Sequence, residues 1–146
     1  MKKSNIRALS LVSIASLMLA GCASGPTISE TPNIQTPPVA GMSRIVVYRT
    51  GILGAAIQPI VSVDGKETGR CTANGVFFID VPKGQHQVSA TTEITRQTIV
   101  DTSNVDTAYV RCSIGFGFIV GQPRLEVVFG NQGASETAGL AYTGSY

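Results

Sequence analysis

The chain has 146 residues, of which 43% are hydrophobic and 14% charged, with 11 Lys and Arg against 9 Asp and Glu. Three of the basic residues (Lys2, Lys3 and Arg7) lie at the N-terminus, so the rest of the chain carries 11 − 3 = 8 basic residues against 9 acidic ones. This balance lacks the basic excess that nucleic-acid-binding domains need, and it predicts no polybasic segment for anionic lipids. We therefore expect no nucleic acid among the partners.

The N-terminal segment has the three parts of a secretory signal. The basic residues are followed by an uncharged apolar run from Ala8 to Ala20 and then by small residues. At about 13 residues the run is too short for a membrane span, which needs roughly 20. The sequence therefore predicts export.

The last four residues of this segment, Leu19-Ala20-Gly21-Cys22, resemble the lipobox of bacterial lipoproteins. The resemblance implies that residues 1–21 are a signal peptide and that Cys22 is lipidated and becomes the first mature residue. Because Ala23 follows the cysteine where an aspartate would favour the inner membrane, it also implies a lipid anchor in the outer membrane, with the domain facing the periplasm. The alternatives are an ordinary signal peptide with Cys22 present by chance, or an N-terminal membrane anchor.

The next segment, residues 22–42, is predicted to be the lipidated cysteine and a flexible linker. Residues 23–41 hold four of the seven prolines among Ser, Thr and Gly, with one charge. A segment of this composition buries too little apolar surface to order itself, and proline stiffens it in part.

Residues 43–130 are predicted to form one domain of short strands separated by turn residues. Arg44 to Arg49 is β-branched and aromatic with charged ends, typical of a central strand covered on both faces. Asp64-Gly65 between two strand-like runs predicts a hairpin, and Asn74-Gly75 predicts a second turn. We expect an all-β fold, a small antiparallel β-sandwich of seven or eight strands. The predicted strands are 44–49, 59–63, 67–73, 76–81, 85–92, 97–100, 107–114 and 124–129.

Four stretches of this domain also carry a resemblance to a family. They are Arg44–Arg49 (RIVVYR), Val63–Lys66 (VDGK), Asn74–Phe78 (NGVFF) and Val81–His86 (VPKGQH). In this order they resemble a family of uncharacterised bacterial lipoproteins whose domain is similar to small PEGA-type and carboxypeptidase-regulatory-type β-sandwiches. The resemblance covers about residues 43–130 and implies a fold and a location but no activity. Residues 131–146 are a small-residue tail that either covers a sheet edge or stays mobile.

Two cysteines remain besides Cys22. In an oxidising compartment Cys71 and Cys112 are expected to form a disulfide, since both fall on the small or apolar side of their strands. A loop of about 40 residues closed in this way stabilises a fold by roughly 2–4 kcal/mol. Two buried free thiols, or a redox pair without a C-x-x-C motif, are the alternatives.

The sequence predicts no catalytic residue, metal ligand or cofactor. His86 is the only histidine. With Asp80 across a turn it could serve as a general base, but its alternation with Val88 and Ala90 favours a packed histidine. One histidine and two cysteines without close spacing do not predict a zinc site.

Two uncharged loops, residues 51–57 and 114–121, are unusual for a sandwich, whose loops are normally polar. Either they fold inward to close the core, or the second is a hairpin that extends its strands, or they expose an apolar surface to a partner, a ligand or a bilayer. The predicted function is that of a lipid-anchored, non-enzymatic interaction or structural module. Its expected partners are the membrane, through the lipid anchor, and an envelope protein. The alternative is a module that binds a small molecule or glycan through these loops. The candidate loop residues are Ile52, Leu53, Ile57, Phe116, Phe118 and Val120.

Overall fold

The structure is a computed structural model that describes residues 22–31, 35–116 and 121–144. The signal segment, residues 1–21, lies outside the described residues. Two sheets of five and four strands pack face to face, so the predicted β-sandwich is confirmed. The strands are β1 (Met42–Tyr48), β2 (Ile60–Val63), β3 (Lys66–Arg70), β4 (Gly75–Pro82), β5 (Gln85–Thr91), β6 (Thr95–Asp101), β7 (Thr107–Gly115), β8 (Gln122–Val128) and β9 (Ala141–Tyr142).

The five-stranded sheet has the order β8-β7-β1-β4-β9, and the four-stranded sheet has the order β3-β2-β5-β6. Within the larger sheet β1 pairs in parallel with β7, and β4 in parallel with β9, whereas the other pairs are antiparallel. This differs from the purely antiparallel arrangement expected. The parallel β1–β7 pair arises because the chain builds the second sheet between these two strands, and this gives the long crossover that parallel pairing needs.

The core lies between the sheets and is built from alternate residues of each strand. Ile45 and Val47 of β1 point into it and are fully buried, while Val46 and Tyr48 point to the other face and are also buried. The prediction of a central strand covered on both faces is therefore confirmed. The inner cluster comprises Ile45, Val47, Val61, Val63, Cys71, Phe77, Val81, Val88, Ala90, Val100, Ala108, Val110 and Cys112.

The outer face of the five-stranded sheet is covered by the C-terminal segment. An α-helix, α1 (Gly130–Thr137), packs on β7 so closely that a β-carbon on Gly133 would lie 2.2 Å from Cγ of Tyr109. After the helix, β9 pairs with the start of β4 and covers that edge of the sheet. The tail therefore covers both a face and an edge.

Two turns were predicted from their residues. Asp64 and Gly65 have φ angles of +50° and +81° and close the β2–β3 hairpin, as predicted. Asn74 has a φ of +54°, but the turn at Asn74-Gly75 leads from β3 in one sheet to β4 in the other. It is therefore a crossing between sheets.

Residues 22–31 contact the domain, which differs from the free spacer expected. Cys22 forms an isolated parallel bridge with Ala73, and the Ala23 N–H donates to the Ala73 carbonyl at 2.8 Å. Thr27 forms a second bridge with Ala141, and a 3-10 helix, Ile28–Glu30, follows it. Backbone pairing with chain edges orders this segment, although it has no buried residue in its 3-10 helix.

Candidate functional site

A disulfide between Cys71 and Cys112 joins the two sheets, so the predicted pairing is confirmed. Cys71 follows β3 in the smaller sheet and Cys112 lies in β7 of the larger one, with their Cα atoms 6.2 Å apart. Both residues belong to the inner cluster. The bridge closes the core at the end of the sandwich where β1 and β7 finish.

That end also carries Cys22 and the first uncharged loop. β1 finishes at Tyr48 and leads into residues 51–57, and β7, parallel to β1, finishes at Gly115. β4 is antiparallel to β1 and begins at Gly75, two residues after the partner of Cys22. We call this end, formed by Cys22, residues 51–57 and Phe116, the loop end.

Contacts within the loop end are close. The Gly51 N–H donates to Oδ1 of Asn74 at 2.8 Å, and Asn74 adjoins Ala73, the partner of Cys22. A β-carbon on Gly54 would lie 3.3 Å from Cγ2 of Ile114, so β7 packs against the same loop. Cys22 therefore contacts the domain next to Gly51, where the 51–57 loop begins.

The 51–57 loop is held by a buried arginine. Arg49 is 1% exposed, and its guanidinium donates to the carbonyl oxygens of Ile57 at 2.8 Å, Leu53 at 2.5 Å and Cys71 at 3.1 Å. Burial lowers the pKa of Arg49. A buried cation is tolerated here because three carbonyl oxygens accept hydrogen bonds from its guanidinium.

Two successive turns give the loop its shape. The Ala55 N–H donates to the Ile52 carbonyl at 3.0 Å and the Ile57 N–H donates to the Gly54 carbonyl at 2.9 Å. Gly51 and Gly54 have φ angles of +78° and +68°, which glycine adopts without strain. The backbone is thus ordered by its own hydrogen bonds and by Arg49.

The apolar side chains of the loop end are partly exposed. Ile52 is 64% exposed, Leu53 67% and Phe116 90%, whereas Ile57 is only partly exposed. The loops were expected either to fold inward or to expose apolar side chains. Ile52, Leu53 and Phe116 are exposed. The remaining candidates, Phe118 and Val120, lie outside the described residues.

His86 is buried at the opposite end of the sandwich, as a packed histidine would be. Its Nδ1 lies 2.7 Å from Oδ2 of Asp64 and its Nε2 lies 2.7 Å from the Pro82 carbonyl. Burial lowers the pKa of His86, but the hydrogen bonds to Asp64 and Pro82 and the charge of Asp64 outweigh it, and the net pKa is raised. The hydrogen bond with His86 lowers the pKa of Asp64. Asp80 does not reach His86 but pairs with Arg44 at 2.7 Å.

The described residues also form an open groove of about 460 Å³ on the outer face of the five-stranded sheet. Its walls come from residues 35–38, β1, β7 and α1, and include Arg44, Tyr109 and Ala134. Neither the 51–57 loop nor Phe116 lines it.

Within residues 22–31, 35–116 and 121–144, no three His, Cys, Asp or Glu side chains come together as metal ligands would. In the same ranges, no helix has the length and apolar character to cross a bilayer.

Arg44 and Arg49 were missed by sequence reasoning, which took them for the charged ends of a strand. Both are buried. For Arg49 the sequence held a signal of burial. The loop that follows it has no carboxylate to pair with the guanidinium, so only backbone carbonyls of that loop can accept from it.

Comparison with models of protein families finds no match, and comparisons with curated proteins and with solved structures likewise find none of significance. The class of protein that the structure defines is a disulfide-linked β-sandwich. The expected relationship to PEGA-type lipoproteins stays a prediction.

Proposed function

We propose that the protein is a lipoprotein of the bacterial envelope, held to the outer membrane by lipid on Cys22, with a periplasmic domain that serves as a non-enzymatic interaction or structural module. The observation that carries the proposal is the motif Leu19–Cys22 directly after a basic segment and a short apolar run. Diacylation and N-acylation together make such an anchor stable, because a single chain binds only weakly.

Two features of the described residues support this proposal. Cys22 is exposed, so lipid attached to its sulfur can leave the domain without disturbing the core. The groups that a hydrolase would use have structural partners, since both ring nitrogens of His86 and the carboxylate of Asp80 are engaged within the fold.

The proposal is tested by a substitution at the cysteine. Cys22→Ser should abolish incorporation of labelled palmitate and move the protein out of the membrane fraction, because the thioether cannot form. Ser24→Ala, two residues further on, is the matched control and should behave like wild type. Continued palmitate labelling and membrane partition of Cys22→Ser would contradict the proposal.

A second candidate function is binding of a small molecule or glycan. The observation in its favour is the groove on the outer face of the five-stranded sheet, which Tyr109 and the Asp80-paired Arg44 help to line. Cell-wall oligosaccharides titrated into the protein should then shift the NMR signals of the groove residues. Ala134→Trp, which fills the groove from its exposed wall, should abolish those shifts. Shifts confined to the 51–57 loop would assign any binding to the loop end instead.

A further inference from the structure

The loop end presents apolar side chains beside the residue that is to carry the lipid. Ile52, Leu53 and Phe116 are each more than 60% exposed. Exposed apolar residues also occur elsewhere, among them Val39 and Phe129, but those lie towards the opposite end, where β1 begins and β8 finishes. Within the part of the chain that the structure describes, only the loop end has such a group joined to Cys22 through a short series of contacts.

Because Cys22 is bridged to the domain, almost no free chain separates the lipid-bearing residue from the loop end. Cys22 is bridged to Ala73, and the next residue, Asn74, accepts the Gly51 N–H at the foot of the loop. A lipid attached to Cys22 therefore enters a bilayer immediately next to residues 51–57. The bilayer surface is then present at high effective concentration around residues 51–57. A protein partner would have to displace the bilayer to bind there.

The backbone of the loop suits contact with lipid. Polar backbone groups that leave water must find partners within the protein. The Leu53 and Ile57 carbonyls accept from Arg49, and the Ile52 and Gly54 carbonyls accept from N–H groups of the same loop. The loop can therefore enter the interfacial region of a bilayer without breaking these hydrogen bonds.

Charge is segregated between the two ends. Ile60 begins β2 next to the loop end, and its partners Arg70 and Thr91 lie at the same level. The near-neutral total charge conceals this segregation. At the loop end, near Ile60, Gly75 and Gly115, the exposed charged residues are Arg70, Arg96, Arg124, Glu93 and Glu30, a net charge of 3 − 2 = +1. At the opposite end they are Lys66, Lys83, Asp64, Glu67, Asp80, Asp101 and Asp106, a net charge of 2 − 5 = −3.

We propose that the loop end is a membrane-contact surface, in which Ile52, Leu53 and Phe116 enter the bilayer interface beside the lipid on Cys22. The arginines at this end face anionic headgroups, and the acidic opposite end points away from the membrane. This inference rests on the proposed lipidation of Cys22. It adds that the domain stands on the membrane in one orientation.

The absence of tryptophan from the sequence allows a direct test. Leu53→Trp, Phe116→Trp and Phe129→Trp each introduce a single emitter, the first two at the loop end and the third at an exposed position towards the opposite end. The full chain is matured and lipidated in a bacterial host and reconstituted into vesicles of phosphatidylcholine and phosphatidylglycerol, with or without bromine in the acyl chains. Circular dichroism and the intact disulfide establish that each variant is folded.

For Leu53→Trp and Phe116→Trp we expect blue-shifted emission and about a twofold or greater loss of intensity in brominated vesicles, as for side chains within the interfacial region. Phe129→Trp should be unaffected. Co-flotation without quenching at positions 53 and 116, or equal quenching at all three positions, would overturn the contact surface and leave the anchor intact. Shielding of positions 53 and 116 in native membranes but not in lipid vesicles would assign the surface to a protein partner and overturn the proposal. Failure of the protein to float with vesicles would refute the anchor, and the contact surface with it.

Discussion

Replacement of Arg49 by methionine tests whether the guanidinium orders the loop end. The side chain donates one hydrogen bond in a buried position, to the Cys71 carbonyl, and two in partly buried positions, to Leu53 and Ile57. An unsatisfied buried carbonyl costs about 1–3 kcal/mol, and each of the partly buried bonds contributes about 0.5–1.5 kcal/mol. The sum is about 2–6 kcal/mol. Removing a buried charge recovers part of its desolvation cost, so we expect a loss of about 2–4 kcal/mol in the free energy of unfolding.

The assay is urea unfolding under oxidising conditions, so that the disulfide stays intact. Arg49→Lys should fall between wild type and Arg49→Met, because an ammonium keeps the charge but cannot reach three carbonyls with the geometry of a planar fork. Arg70→Met, at an exposed position, is the control and should lie within about 0.5 kcal/mol of wild type. If Arg49→Met also stays within about 0.5 kcal/mol of wild type, the reasoning about the carbonyl contacts is wrong.

Three further predictions concern stability. Reduction of the disulfide between the sheets should lower the free energy of unfolding by roughly 2–4 kcal/mol, and two alkylatable thiols in unreduced protein from cells would contradict the bridge. Because the pKa of His86 is raised in the folded state, its contribution to stability is fully present below the ordinary value of 6.5 and should be lost as the pH rises through the folded-state value. As the pH falls through the lowered pKa of Asp64, its carboxylate is protonated and the same contribution is lost. Asp64→Asn removes the carboxylate, so the urea midpoint of this variant should change less with pH near neutrality. An unchanged pH profile would refute the pairing. Gly133→Ala should destabilise by about 1–3 kcal/mol through its clash with Tyr109, whereas Gly130→Ala, with open space around it, should be neutral or stabilising, and equal effects would refute the close packing.

The strands were predictable because each buries one face and alternates accordingly. His86, Val88 and Ala90 of β5 all point inward and are buried, as their alternation indicates. The Asp64-Gly65 turn was predictable because its positive φ angles are ones that few residues adopt.

The helix α1 was not predictable from its residues. Its sequence, GNQGASET, contains two glycines and no apolar stripe, and its intrinsic helix propensity is low. Tertiary contacts hold it instead. Gly133 packs on the Tyr109 ring, and the Tyr48 hydroxyl donates to Glu136 at 2.6 Å. The second of these contacts joins residues 88 positions apart, and neither contact leaves a local signal in the sequence.

The loop end was predictable only in part. The absence of charge in residues 51–57 and 114–121 marked both loops as unusual, but could not decide between burial and exposure. That decision depends on Arg49, whose partners are backbone carbonyls, and on the parallel pairing of β1 with β7, which brings residues 51–57 and the last residues of β7 to one end. The placement of Cys22 beside Ala73 depends on backbone bonds that composition does not encode.

The claim on which the account depends is lipidation of Cys22, and intact-mass spectrometry of the protein extracted from bacterial membranes measures it most directly. The account predicts a chain that begins at Cys22, heavier than the peptide mass of residues 22–146 by a diacylglycerol and an acyl chain, with the added mass confined to the N-terminal fragment after proteolysis. A chain with unmodified Cys22, or one that begins at another residue, would contradict it.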